Sequence, residues 1–394
     1  MADNDEQVLP IPNLALQQHL FELIRPGSSN AAKESARSAL LKGIEEDEMA
    51  PYYASIIDSP EPHISKALKR DDALLKKLKA KNDETLELME KQLKVNEENE
   101  GETEVNQVLR QKAAYLARIG DKTRALEAQK VAIEKAAGLG ARLDLTMALI
   151  RIGLFHGDPK VTMDNIVKAK ALVEEGGDWE RRNRLKVYEG YHLLSIRDFK
   201  QGGELLLDAL STFTATELLD YNQFITLTVL ANTLTLPRPE LKKKIINSPE
   251  VLQVVDDIPH IGAYTNALYT CDYAAFFRAL ADVEQTHLLT SRVLAPHARY
   301  YVREMRIIAY AQLLESYRSL TLDNMANAFG VSAGFIDAEL SRFIASGRLP
   351  AVIDRVQGVV ETRRPDLLSG SYSKLLKDGD LLLNSLQRLS RQVL

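Results

Sequence analysis

Residues Ser319–Thr362 read SLTLDNMANAFGVSAGFIDAELSRFIASGRLPAVIDRVQGVVET, and three short elements follow from them in a fixed order. Thr321 can cap a helix whose apolar positions Leu322, Met325, Ala326 and Phe329 recur at helical spacing, and Gly330 supplies a left-handed stop. Ser332 caps a second helix, with Phe335, Ile336, Leu340, Phe343 and Ile344 on one face and Gly347 as its terminator. After Pro350, Ala351–Asp354 and Val359–Thr362 flank the four residues Arg355–Gly358, the pattern of a hairpin. Helix, turn, helix and a two-stranded wing make a winged helix.

Charge decides what such a module binds. A helix entering a major groove needs cations for phosphates and donors for base edges. The second helix instead carries Asp337, Glu339 and Arg342 on its outer side, a net negative balance. The wing adds Arg355 but also Asp354 and Glu361, with Arg363 and Arg364 only beyond it. The electrostatic footprint of a nucleic-acid binder is missing, so nucleic acid is not the expected partner.

The rest of the composition agrees. The 394 residues have room for two or three units of ordinary domain size, and 27% of them are charged with a net charge of −5. No bulk basic pull toward nucleic acid or membrane exists. One cysteine, Cys271, excludes an internal disulfide and a Cys-rich zinc site, and suits a reducing compartment. The first six residues, MADNDE, are acidic where a signal peptide is basic, and no apolar run approaches membrane-spanning length. A soluble protein of the cytosol or nucleus is expected.

Upstream of the winged helix the chain alternates helix and break. Prolines divide residues 1–62 into short helices such as Asn13–Ile24 and Ala31–Glu45. Ile64–Asn99 has no Pro or Gly and reads as a long charged helix or helix pair, a surface helix packed on the next layer rather than a lever. Asn96–Glu104 reads as a loop. From Val105 the breaks look alike: Gly120-Asp121, Gly157-Asp158, Arg197-Asp198 and Cys271-Asp272. The aspartates are 37, 40 and 74 residues apart, the last being twice 37, and the missing break falls at Leu236-Pro237-Arg238-Pro239. That period matches stacked helix pairs slightly longer than the tetratricopeptide unit, with Asp capping the second helix and Ala125 and Ala274 allowing close approach. In Ala295–Tyr317, Arg299, Arg303 and Arg306 form a basic stripe that could hold an acidic partner; pairing with Asp282 and Glu284 is the preferred reading.

The last helix repeats apolar residues at Leu375, Leu382, Leu386, Leu389 and Val393; with Gly379 the spacings are 4, 3, 4, 3, 4. This is an a/d seam, widened by Leu376 and Leu383, with Lys377, Arg388 and Arg391 on the flanks. Such a helix folds back or joins a bundle; the Pro- and Gly-containing run Glu361–Gly370 lets it point away, which favours the bundle. In the hairpin, Val352, Ile353, Val359 and Val360 offer an edge that can pair with a neighbour, while alternation lets half of them face inward.

Chemistry is absent from the sequence. Gly138-Leu139-Gly140 lacks a strand–loop context, the seven histidines stand singly, and Asp272 beside Cys271 would raise a thiol pKa. Cys271 reads as a small buried residue, and Trp179 and Tyr188 as core or groove residues. No catalytic residue, cofactor site or metal site is expected.

LTLDNMANAFGVS, FIDAELSRFIASGRL and VIDRVQGVVET resemble the winged-helix half of the PCI domain. That family occurs in the proteasome lid, the COP9 signalosome and a translation initiation factor complex, where the resemblance implies a module joining subunits. PRPELKKKIINSPEVL, CDYAAFFRALADVEQ, APHARYYVREMRIIAYAQLLESYRSLTLDNMANAFGV, LSRFIASGRL and KDGDLLLNSLQRLS sharpen the likeness to the proteasome-lid family of regulatory subunit seven, a relative of COP9 signalosome subunit one. The likeness is specific over Asp178–Leu394 and weaker but collinear before it; GRLPAVIDRVQGVVET and the short tail favour the proteasome member.

The resemblance implies a non-catalytic scaffold of the 19S regulatory particle, cytoplasmic and nuclear. It would be a hetero-oligomer with other PCI and MPN lid subunits, its N-terminal helices reaching toward the ATPase base or core particle, without nucleic acid, membrane or cofactor. A signalosome scaffold and, from a different class, a winged-helix nucleic-acid or messenger-RNA-export factor are the alternatives. The expected fold is mainly α: a right-handed α-solenoid of degenerate TPR-like helix pairs capped by a winged helix (PCI domain), with a long C-terminal helix. Its expected divisions are 1–62, an N-terminal helical segment; 63–104, the long charged helix and loop; 105–294, the repeats; 295–364, linking helix and winged helix; and 365–394, the bundle helix.

Overall fold

Each expected repeat break is a turn built the same way. Gly120, Gly157, Arg197 and Cys271 all take positive φ (77°, 65°, 72° and 64°), which reverses the chain after one helix. The aspartate that follows caps the next helix: Asp121 accepts from Arg124 N, Asp158 from Lys160 N and Val161 N, Asp198 from Gln201 N and Asp272 from Ala275 N. The computed structural model describes residues 9–65, 68, 70–98, 101–362 and 367–393. It divides into two units, Met1–Tyr269 with Ala279–Val302, and Thr270–Arg278 with Arg303–Leu394.

The first unit begins with α1 (Ala15–Ile24), α2 (Asn30–Glu46), α3 (Ala50–Ile57) and α4 (Pro62–Ser65). Leu16, Leu20 and Leu23 of α1 pack into a cluster with Leu40, Ile44, Tyr53, Ile56 and Phe155. The long charged helix, α5 (Asp72–Glu98), starts later than expected because Asp71 caps it, accepting from Ala73 N and Leu74 N. It buries only Leu78 and Asn82, as a surface helix laid on the next layer does. The expected loop is shorter than Asn96–Glu104, since α6 (Glu102–Arg118) opens with Glu102 and Glu104, whose charges suit a helix N-terminus.

The repeats follow as α7 (Lys122–Lys135), α8 (Leu139–His156), α9 (Pro159–Glu174), α10 (Trp179–Ser195), α11 (Phe199–Asp208) and α12 (Tyr221–Thr235). From α6 to α12 each helix packs on the next. Helix α8 buries eleven residues over Leu143–Phe155, because it has neighbours on both sides. At α10 and α11 the approach requires glycine: a Cβ on Gly190 would stand 2.9 Å from Leu206 Cδ2, and one on Gly202 3.1 Å from the Gly190 carbonyl. The break at 236–239 is in place but lacks the Asp turn; α13 (Arg238–Leu241), a π-helical turn over Lys242–Ile246 and α14 (Pro249–Val254) replace a single second helix. Next come α15 (Ile261–Thr270), α16 (Tyr273–Val283) and α17 (Ala298–Ser316). α16 and α17 each contribute residues to both units.

Polar contacts tie the N-terminal segment to distant parts of the first unit. Gln18 donates to the Thr290 carbonyl at 2.6 Å and accepts from Arg292 N at 3.1 Å. Buried Arg151 donates to the Ile11 carbonyl and to Tyr188 Oη, both at 2.8 Å, and Tyr188 donates to Glu217 at 2.8 Å. Tyr188 is fully buried, whereas Trp179 is 65% exposed at the start of α10 and is not a core residue.

His156, the last residue of α8, is held neutral: burial, then the charge of Lys122, lowers its pKa to about 4 from the ordinary 6.5. The unfolded chain binds this proton as pH falls below 6.5, and the folded chain resists it until about pH 4. The stability is therefore present above 6.5 and lost progressively down to 4. His156→Gln should lose less thermal stability between pH 7 and pH 5 than the natural chain, read as the melting temperature of each across that interval.

Candidate subunit interface

The winged helix is assembled around Phe329, whose ring is 1% exposed. It lies 4.9 Å from Tyr273 and 4.8 Å from both Phe277 and Tyr310, centroid to centroid, in tilted or edge geometries that aromatic quadrupoles favour. Helix α18 (Leu322–Phe329), capped by the Thr321 hydroxyl and ended by left-handed Gly330, puts Phe329 there. Helix α19 (Ala333–Ala345), capped by Ser332, buries Ile336, Leu340 and Phe343, with Gly347 left-handed just beyond.

Strand β1 (Ser319–Thr321), unforeseen from sequence, precedes these helices; β2 (Ala351–Asp354) and β3 (Val359–Thr362) follow them. The sheet order is β1-β3-β2, all antiparallel, with Leu320 opposite Val360 and Ile353 opposite Val360 from the other side. Three residues framed by a helix cap gave β1 no alternating pattern to detect.

The placement of the hairpin residues follows from this order. β3 is the central strand, so the backbones of Val359 and Val360 are paired on both sides, and Val360 is fully buried. β2 is an edge: Val352 is 37% exposed and Ile353 half-buried. Asp354 shapes the tip by accepting from Val356 N at 2.8 Å and Gln357 N at 3.2 Å, which leaves the Val356 side chain fully in solvent.

Two expectations for the second helix are corrected. Glu339 is not on the outer side: it is 8% exposed and accepts from Arg306 Nη1 at 2.6 Å and from Tyr310 Oη at 2.9 Å. The partner of Arg306 is thus Glu339 rather than the expected Asp282 or Glu284, while Arg303 lies against Glu304 and Arg348 also pairs with Glu304. Burial, then the Glu339 carboxylate, pushes the Tyr310 hydroxyl well above its usual range and keeps it a donor. Phe335 is 40% exposed, off the apolar face, with the Arg306 guanidinium 5.9 Å from its ring. Three residues after the capping Ser332, whose hydroxyl accepts from its N–H, it sits in the first turn of the helix. Arg355 pairs with Asp337 at 3.1 Å. Arg306 and Arg355 are thus both engaged by carboxylates of this helix.

Helix α20 (Leu367–Val393) carries the heptad seam. Leu375, Leu382, Leu386 and Leu389 are 59–70% exposed, as are Tyr372 and Leu376. The seam is thus uncovered in the single chain. Val393 belongs to the helix, but its side chain lies outside the described residues. Cys271 is half-buried rather than buried and accepts a 3.0 Å contact from Gln312 Nε2. Among the described residues no His, Cys, Asp and Glu side chains group to hold a metal, and no helix is long and apolar enough to cross a membrane.

Glu339→Ala removes the acceptor for one buried hydroxyl and one guanidinium, a loss of about 2–4 kcal/mol. We expect the winged helix to unfold at lower urea in this variant, with Glu339→Gln intermediate, read by tyrosine fluorescence.

Comparison with known proteins bears on what this surface serves. Residues 71–244 match the family model described as 26S proteasome subunit RPN7, and residues 273–364 match the PCI domain. The rice protein named 26S proteasome non-ATPase regulatory subunit 6 is 42% identical over 97% of this chain and 96% of its own length. The fission-yeast (Schizosaccharomyces pombe) 26S proteasome regulatory subunit rpn7 is 41% identical over 99% of this chain and 98% of its own. The Saccharomyces cerevisiae 26S proteasome regulatory subunit RPN7 is 38% identical over 99% and 95%.

Proposed function

The chain belongs to the 26S proteasome subunit RPN7 family, and from that membership we propose that it is a non-catalytic scaffold subunit of the regulatory particle lid, acting in ubiquitin-dependent protein degradation. The observation that carries this reading is the full-length match to curated relatives, which spans solenoid and winged helix together. The rice relative's name calls that protein a non-ATPase regulatory subunit, in keeping with a role in assembly.

Two surfaces are assigned to partners. The outer edge of β2, with Val352 and Ile353, offers backbone groups to a neighbouring PCI subunit, and Val359 and Val360 support that edge from the central strand. The seam of Leu375, Leu382, Leu386, Leu389 and Val393 enters a bundle with helices of other lid subunits, both PCI and MPN types. The exposed leucines favour this over folding back, since so much uncovered apolar area asks for a partner. The N-terminal helices face the ATPase base or the core particle, and the complex is cytoplasmic and nuclear.

The test is recovery of partners from cells with the intact chain, with a chain ending at Gly370, and with Leu382→Glu/Leu386→Glu. Lid subunits and proteasomal ATPases should accompany the intact chain and fall at least about tenfold in both variants, while the double variant keeps the natural melting temperature. Recovery of a deneddylase without ATPases, or of nucleic-acid-binding proteins alone, overturns the assignment. Full recovery with the truncated chain moves the anchor to β2.

A further inference from the structure

The position before each capping aspartate is left-handed, a conformation that a Cβ disfavours, and two of the four turns place glycine there. Arg197 occupies it at φ 72° with an exposed side chain. Its guanidinium carbon lies 4.9 Å from the centroid of the Tyr300 ring. That ring stacks on buried Phe199 at 6.1 Å with planes 14° apart, and His297 Nε2 bonds the Ser195 carbonyl at 2.8 Å, holding the segment on the turn. Exposed Lys200 and Arg299 flank the stack, one residue from Phe199 and Tyr300 respectively, and Ile196 is 51% exposed beside Arg197. Among the described residues none of Arg197, Lys200 and Arg299 has an ion-pair partner, unlike Arg306 and Arg355.

A guanidinium held over a ring is attracted by the ring's electron-rich face, still carries N–H donors for a carboxylate, and loses less freedom when a carboxylate takes two of them. We propose that Ile196, Arg197, Lys200, Arg299 and Tyr300 form a docking site for an acidic segment of a partner protein. One carboxylate takes the fork of Arg197, others lie between Lys200 and Arg299, and an apolar side chain covers Ile196. Three cations beside an exposed aliphatic residue, on a chain of net charge −5, suit a short acidic peptide better than a nucleic-acid backbone. The site uses residues of the first unit, none of them from β2 or α20, and does not depend on the scaffold assignment.

The experiment uses the full chain and a fluorescein-labelled short peptide of Asp, Glu and Leu, followed by anisotropy at about 50 mM salt. Arg197→Gly should weaken the peptide about tenfold while the melting temperature stays or rises, because glycine relieves the left-handed residue. Lys200→Ala/Arg299→Ala should weaken it further and flatten its salt dependence. Absence of binding by the natural chain, or unchanged affinity in Arg197→Gly, overturns the proposal. So does a lower melting temperature in that variant, which would make Arg197 a structural residue. Tighter binding of a single-stranded RNA, lost in the same variants, would assign the patch to nucleic acid instead.

Discussion

One dipeptide governs the solenoid: a left-handed residue that stops a helix, followed by an aspartate that starts the next. The first sets the angle between the helices of a pair, and the second satisfies amide groups that the new helix cannot bond internally. The turns are also linked to each other, since Lys122 at the start of α7 donates at 2.8 Å to Asp158, the cap of α9. Spacing between pairs is thereby tied to the same residues that shape each pair. Where the dipeptide is absent, at 236–239, the second helix breaks into short and π-helical pieces.

The two units join apolar packing to buried polar contacts in different ways. In the solenoid, the chain Arg151–Tyr188–Glu217 runs across two helices and a loop and fastens the Ile11 backbone. In the winged helix, a single carboxylate, Glu339, serves one guanidinium and one hydroxyl beside the aromatic cluster of Phe329. Each is satisfied, so each specifies one arrangement where apolar packing alone would accept several. The carboxylate that looks from sequence like an acidic surface feature is a core fastener.

Legibility from sequence followed the range of the signal. Caps and stops are local chemistry, so Thr321, Gly330, Ser332 and the Asp turns could be read directly, as could the strands Ala351–Asp354 and Val359–Thr362. The heptad seam of α20 could be read for the same reason. What failed depended on distant parts of the chain. Strand β1 exists because β3 has a free side, Glu339 is buried because Arg306 and Tyr310 meet it, and Phe335 and Trp179 are exposed in the first turn of their helices. Which hairpin residues could serve a partner was legible only by half, since the central position of β3 decides it.

The Gln18 clasp changes how the molecule can be made. A stack of helix pairs has mostly local contacts, so its parts can fold in the order in which they leave the ribosome. Gln18 and Thr290, however, are 272 residues apart in the chain, and the amide of Arg292 completes the same contact. During synthesis α1 can gather with Leu40 and Ile44 early, yet its side-chain amide must wait for most of the polypeptide before it finds both partners. The N-terminal helix is thus among the first elements born, yet its polar clasp cannot close until residue 292 has been made.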